Sequence, residues 1–369
     1  MRIIINSKNI SSIKTGIGHY THHLSSNLKK IDNTHIHLFG YKKNSIPGNK
    51  YFTKVISFIR DFIPYSYKLY VFFLQYKFNK STQQDSFDFY HETNNLSFKS
   101  KLTTILTIHD LSVIKYPQMH PKKRVIDFNE RFENSIYSAK KIIVDCNSIK
   151  NELVKIYNLN EDIIEVIYLA SRFKKRFNNK SITLKNFHLR RGINYKQYFI
   201  CVGTLEPRKN IINVIKSYML LPIDIRNSYP LFIIGTVGWH FKISNDLYDD
   251  SVKFLGYIDD KELECFYHGA TSLLCLSIYE GFGLPPLEAM SCGTATILSD
   301  NKCFKELYSK VSIIIKKNNP RYIKNMMLKL ILDETFRKKY EVLGLNYSKK
   351  FSWAKTAKKT ALVYESLMP

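Results

Sequence analysis

Two acids and two cations carry most of the chemistry legible in this sequence. Glu280 and Glu288 bracket the string Glu-Gly-Phe-Gly-Leu-Pro-Pro-Leu-Glu. Carboxylates accept hydrogen bonds from sugar and ribose hydroxyls, so this pair suits the two ends of a nucleotide sugar. Gly281 and Gly283 let backbone N–H groups approach a ligand closely. Pro285 and Pro286 are tolerated in the first turn of a helix, and the free N–H groups at such a helix start favour anions. Taken alone, Glu288 is better read as a helix-dipole acid and Glu280 as a solvated loop acid. The glycines and prolines in place between them tip the reading to a binding loop.

The second element is Val202-Gly-Thr-Leu-Glu-Pro-Arg-Lys-Asn210. Its turn holds Gly203 and Thr204, and it sets Arg208 and Lys209 at a helix start, a suitable cradle for a diphosphate. Arg binds phosphate oxygens in a bidentate way and Lys acts as a mobile point charge. In so basic a chain, a surface loop would read the same way. Gly16-Ile-Gly18-His-Tyr20 is a glycine turn without full G-x-G-x-x-G spacing. His109, in Thr107-Ile-His-Asp110, ends a strong strand pattern, where it could donate to a sugar hydroxyl or move a proton; the plainer role is a strand cap. His91-Glu92 is a weaker instance. The chain has no D-x-D triplet, the usual holder of a divalent ion on a sugar-nucleotide diphosphate. Arg208 and Lys209 would then neutralise the leaving group, with no metal.

Such loops need strands to end on. Short apolar runs at Arg2–Asn6, His35–Tyr41, Phe87–His91, Thr103–Ile108, Lys141–Asp145 and Ile163–Tyr168 alternate with helical patterns. The alternation resumes at Tyr198–Val202, Leu231–Ile234, Val252–Phe254, Ser272–Leu276, Thr294–Leu298 and Val311–Ile315. It predicts an α/β chain with two doubly wound parallel sheets, whose ligands sit outside the carboxyl ends of the strands. The polar, basic stretch Ser171–Lys196 divides them. The expected organisation is a first domain over 1–175, a linker over 176–196, a second domain over 197–350 and a terminal helix over 351–369.

The 369 residues suit two medium domains. With 44% hydrophobic residues the chain is globular. A formal charge of +25 attracts polyanions, but there is no zinc spacing, recognition-helix motif or aromatic RNA-binding signature, so nucleic acid is not an expected partner. Six cysteines without a C-x-x-C pair read as reduced core residues of a cytoplasmic protein. No apolar run is long enough to span a membrane. Tyr51–Lys80 mixes aromatics with lysines, which fits either a peripheral contact with an anionic membrane face or a buried helix pair.

Together these residues resemble the retaining glycosyltransferases of family four. Gly16–Tyr20 is similar to the family's loop near the acceptor. Thr107–Leu111 with Tyr116-Pro117 is similar to the "HDl…yP" segment of its O-antigen mannosyltransferases. Val202–Asn210 matches its "GtlePRKN" loop, and Ser277–Met290 its "SlyEGFGLPxLEAM" signature. Phe351-Ser-Trp353 resembles the "fsW" that opens the last helix. The resemblance covers nearly the whole chain. It implies the GT-B fold, two Rossmann-like domains facing across a cleft, with the last helix crossing back to the first domain. It implies a nucleotide diphosphate sugar as co-substrate, GDP-mannose the best guess, and a saccharide or lipid-linked saccharide acceptor in lipopolysaccharide or other surface polysaccharide synthesis. Glu288 would hold the ribose, and Glu280 with the amides around Phe282, Gly283 and Leu284 the sugar and phosphates. Arg208 and Lys209 would take the diphosphate, with His109 by the sugar. Departures are Thr204, where many relatives carry Arg, the loose segment Cys303-Phe-Lys-Glu306, and Tyr308–Val311, which lacks the common glycine. The competing readings are other enzymes of the same fold (sugar phosphorylases and synthases), non-catalytic relatives and, on charge alone, a basic nucleic-acid-binding protein.

Overall fold

A computed structural model describes residues 1–10, 16–40, 66–173, 182–316 and 319–368. The first sheet holds β1 (Arg2–Asn6), β2 (His35–Phe39), β3 (Phe89–Glu92), β4 (Thr103–Ile108), β5 (Lys141–Val144) and β6 (Ile164–Val166) in the order β2-β1-β3-β4-β5-β6. The second holds β7 (Phe199–Val202), β8 (Leu231–Ile234), β9 (Val252–Gly256), β10 (Ser272–Cys275), β11 (Ala295–Ser299) and β12 (Ile313–Ile315) in the order β12-β11-β10-β7-β8-β9. Every pairing is parallel. The sequence explains this. Ile3, Ile4 and Ile5 are all fully buried, as consecutive apolar residues are when helices cover both faces of a sheet.

In each sheet the chain leaves one strand toward one edge and returns on its other side. These reversals lie between β1 and β3 and between β7 and β10. A crevice opens at the carboxyl ends of such strand pairs, and most of the chemistry below lies in loops and helices that follow the strands.

The stretch expected to be a weakly periodic linker contains a helix, Ile182–Arg191. Only two of its apolar residues are buried, Leu184 and Phe187. Phe187 meets Phe266 edge-on at 4.9 Å, which docks the helix on the second domain despite its basic remainder. A 19-residue helix, Ser66–Gln84, occupies the end of the aromatic segment 51–80; residues 51–65 lie outside the described ones. All six cysteines are unpaired and buried. The last helix, Trp353–Glu365, is capped by the Ser352 side chain. It lies on the helix Gly16–Leu28, where Trp353 stacks on His23 at 5.1 Å. Near its end the Tyr364 hydroxyl is 2.6 Å from His91 Nδ1 in the core of the first domain.

Candidate active site

The loop after β10 and the loop after β7 are joined by main chain, Ile278 N donating to the Arg208 carbonyl at 2.9 Å. Across this seam Glu280 accepts from Lys209 Nζ at 2.6 Å and from Arg208 Nη1 at 3.0 Å. Arg208 Nη1 also donates to the Tyr279 carbonyl at 3.0 Å, and Nη2 to Glu206 at 2.6 Å. Burial pushes the Glu280 carboxyl up, but Lys209 and then Arg208 outweigh it and hold its pKa below the usual range. Burial likewise works against the Arg208 charge, and Glu280, Asp110 and Glu206 more than restore it.

Charge arithmetic revises the simple picture of a cationic cradle. Arg208 and Lys209 face Glu280, Glu206 and Asp110, so two positive charges meet three negative and the cluster is formally −1. A diphosphate here would need more than these two side chains. The helix Leu284–Ser291 is capped by Gly283, in the left-handed region at φ +83 and with no side-chain cap. Pro285 and Pro286 have no N–H and Leu287 N donates to the Gly283 carbonyl, so the Leu284 N–H is what this first turn could offer an anion.

The opposite end of the string sits one helix turn further on. Glu288 is buried. Its Oε1 lies 3.2 Å from Arg172 Nε, and its Oε2 accepts from Tyr267 at 3.0 Å. Burial raises its pKa, opposed by Arg172 and the tyrosine bond. Beside it opens a cleft of about 150 Å³, lined by Glu288, Arg172, Gly203, Thr204, Leu284 and Gly16 among others. Gly16 belongs to the first domain, so both domains form the wall. Gly18 lies inside the helix Gly16–Leu28 and is buried. The Phe282 ring points away into an aromatic cluster with Tyr168, Tyr308 and Phe351, so only its main chain can serve a ligand.

The domains meet closely at this point. A Cβ on Gly281 would overlap the His109 carbonyl, which is why glycine is required there. Tyr279 donates to Glu152 at 2.6 Å and accepts from Leu111 N at 3.2 Å, both in the first domain. Glu306 takes the N–H groups of Asn147 and Ser148 at 2.8 and 2.7 Å, capping the first-domain helix Asn147–Tyr157 from the second domain. His109 stands at the carboxyl end of β4. Its Nδ1 is 2.7 Å from Asp145 Oδ2 and its Nε2 3.1 Å from the Thr93 carbonyl. A carbonyl can only accept, so Nε2 carries a proton. Burial disfavours the charged ring, and Asp145 overrides it to raise the pKa.

Four residues at this site are not marked in the sequence: Arg172, Glu206, Thr236 and Tyr267; Asp260 reads there as a solvated turn acid. Thr236 follows β8 and lines the cleft, so the strand-end rule alone would have found it. Asp260 lies 3.7 Å from Arg172. The others are second partners of recognised residues, and no local pattern marks them.

Two facing doubly wound sheets with this cleft define the GT-B class of glycosyltransferase fold. Solved structures of that class superpose on nearly the whole chain. WaaG, a glycosyltransferase involved in lipopolysaccharide biosynthesis, gives a TM-score of 0.71 with 99% of each chain covered at 13% identity. Anabaena HepE in complex with UDP and glucose gives 0.71 with 99% of each chain at 14% identity. At such identities the likeness is one of fold. In sequence, "Glycosyl transferases group 1" matches residues 188–347. The O-antigen chain mannosyltransferase B of Escherichia coli is 31% identical over 271 residues, 71% of this chain and 70% of that protein. The O-antigen chain mannosyltransferase RfbU of Salmonella typhimurium is 28% identical over 221 residues, 58% of this chain and 57% of that one. The chain belongs to this glycosyltransferase family.

Proposed function

We propose that this glycosyltransferase moves mannose from GDP-mannose to a lipid-linked saccharide, with retention of configuration, in the assembly of O-antigen or another surface polysaccharide. The observation that carries a nucleotide-sugar reaction is the pair of charge clusters at the two ends of one loop and helix. Glu280 with Arg208 and Lys209 stands at one end, and Glu288 with Arg172 and Tyr267 at the other. Mannose and O-antigen rest on the names of the relatives in Escherichia coli and Salmonella typhimurium.

In this reading Glu288 holds the ribose and Glu280 orients the sugar. The acceptor hydroxyl attacks the anomeric carbon on the face the nucleotide leaves. The new C–O bond forms as the bond to the β-phosphate oxygen breaks, and that oxygen takes the acceptor proton. Arg208, Lys209, the Leu284 N–H and the loop amides of Phe282 and Gly283 stabilise the charge on the departing diphosphate, without a metal ion. Closure of the domains around the donor completes the site.

Membrane attachment is part of the proposal. Among the described residues no helix is long and apolar enough to cross a membrane. The helix Ser66–Gln84 nonetheless turns Leu69, Phe72, Phe73 and Tyr76 to solvent, each at least half exposed. Their spacing is that of one helical face. The helix has three lysines and no acid, as expected of a peripheral contact with anionic lipid.

A hydrolysis and transfer screen across UDP-, GDP- and dTDP-sugars, with and without chelator, tests the reaction. Turnover of GDP-mannose that survives chelation, with the donor's anomeric configuration kept in the product by NMR, is expected. Absence of turnover with every nucleotide sugar, or an inverted product, overturns it. Flotation that shows no preference for anionic vesicles removes the membrane contact.

A further inference from the structure

One buried imidazole of the first domain has no part in the donor site. His120 is 4% exposed. Neither of its ring nitrogens makes a hydrogen bond of ordinary geometry. Burial and then Arg124 push its pKa down to about 4, Asp110 opposes them, and the Ser112 carbonyl favours the charged form only slightly. The ring is therefore neutral at physiological pH, with one nitrogen able to donate and the other to accept. Buried polar groups left unmatched are uncommon and call for an explanation.

A strap from the second domain covers this imidazole. The chain leaving β8 is pinned to the loop after β7 by Leu205 N donating to the Thr236 carbonyl and Gly238 N donating to the Leu205 carbonyl, each at 2.9 Å. A Cβ on Gly238 would stand 2.9 Å from both the Leu205 oxygen and Thr204 Cγ2, so the strap lies flat on the candidate phosphate loop. It then crosses to the first domain. Trp239 Nε1 donates to the Met119 carbonyl at 2.8 Å. Its ring centroid is 5.6 Å from that of His120, and the Arg124 guanidinium lies 4.6 Å from the indole. Asp110 and Arg208 are the other charges that bear on His120, and Arg208 is held by Glu280.

From this arrangement we infer that His120 and Trp239 form a subsite for the acceptor saccharide. A neutral imidazole matches a ring hydroxyl, which also both donates and accepts. The indole offers an apolar face to sugar C–H groups and a polar edge. The subsite borders the donor through two links, Arg208 on the cation cluster and the strap on the loop after β7. A saccharide entering there displaces the indole from its single hydrogen bond and takes up the unmatched nitrogens of His120. The inference rests on the transferase reading above and adds where the second substrate sits.

The test separates the two. The chain has two tryptophans, Trp239 and Trp353, so emission reports on the strap. Titration with mannotriose, with N-acetylglucosamine and galactose oligosaccharides in parallel and no donor present, is expected to change the emission of the intact protein and not that of Trp239→Phe. In transfer assays His120→Ala is expected to raise the KM for acceptor at least tenfold while the KM for donor moves less than twofold. His120→Asn, which keeps a donor and an acceptor, recovers part of that loss. A general packing defect would move both constants and would not be rescued. An unchanged acceptor KM in both His120→Ala and Trp239→Phe overturns the subsite, as does an intact protein whose emission no saccharide alters. Failure of the intact protein to bind any nucleotide sugar counts instead against the transferase reading.

Discussion

Replacing Glu280 by Gln keeps the shape of the side chain and removes its charge. In the ligand-free protein that charge holds Lys209 and Arg208 at 2.6 and 3.0 Å. The substitution takes the cluster from a formal −1 to zero, so a diphosphate enters against one fewer negative charge. A unit charge about 6 Å from one phosphate charge, at an effective dielectric of about 20, contributes about 3 kcal/mol of repulsion. Solvent entering the cleft with the nucleotide reduces this to about 1.4 kcal/mol, a tenfold change in affinity. Transfer moves in the opposite direction. The sugar loses its acceptor carboxylate and the two cations lose their anchor, so a fall of about a hundredfold or more in kcat is expected, as for the loss of one preorganised group at a charged transition state. The assay pairs calorimetric titration with GDP and UDP against transfer kinetics. Tighter diphosphate binding with slower transfer is the expected result. Diphosphate affinity that falls together with turnover would refute the charge arithmetic and make Glu280 a support for the cations.

Lys209→Ala should lower transfer by about a hundredfold and leave a far-UV spectrum unchanged; near-normal turnover in the purified variant removes Lys209 from the diphosphate. Gly281→Ala places a methyl group on the His109 carbonyl and is expected to hold the domains apart, which small-angle scattering would read as a larger radius of gyration accompanying lost transfer. Glu92 is fully buried, and desolvation raises its pKa to about 7 against Asn6, Tyr90 and Asn94, which bond to it. Its folded value exceeds its unfolded one, so its contribution is complete below about pH 4.5 and is lost as pH rises through about 7, a change of up to about 3 kcal/mol. Urea midpoints of the protein and of Glu92→Gln should therefore diverge in favour of the variant between pH 5 and pH 8; a constant difference across that range would show that the carboxyl does not titrate there.

The strands were legible because short apolar runs set between helical patterns admit few other fates, and their parallel pairing followed from the alternation with helices. The string from Glu280 to Glu288 was legible because its parts are contiguous. Partners far apart in the chain were not. Arg172 lies in a stretch that reads as polar linker, yet its guanidinium meets Glu288. Glu306 reads as part of a loose motif, yet it caps a helix of the other domain. Ile182–Arg191 was hidden because two inward residues, Leu184 and Phe187, give too short a pattern for helical periodicity to register. In Ser66–Gln84 most large apolar residues face outward, so the pattern that marks a buried face pointed to solvent.

The contact of Tyr364 with His91 has a consequence for how the chain is made. The first domain has its last strand by Val166, but its core is finished by a helix that ends at Glu365. About 200 residues separate the two, and at about 5–20 residues per second the ribosome needs about 10–40 s to deliver the missing piece. Throughout that interval the nascent first domain must persist with a surface that Tyr364 and its helix will later cover, while the second domain folds behind it.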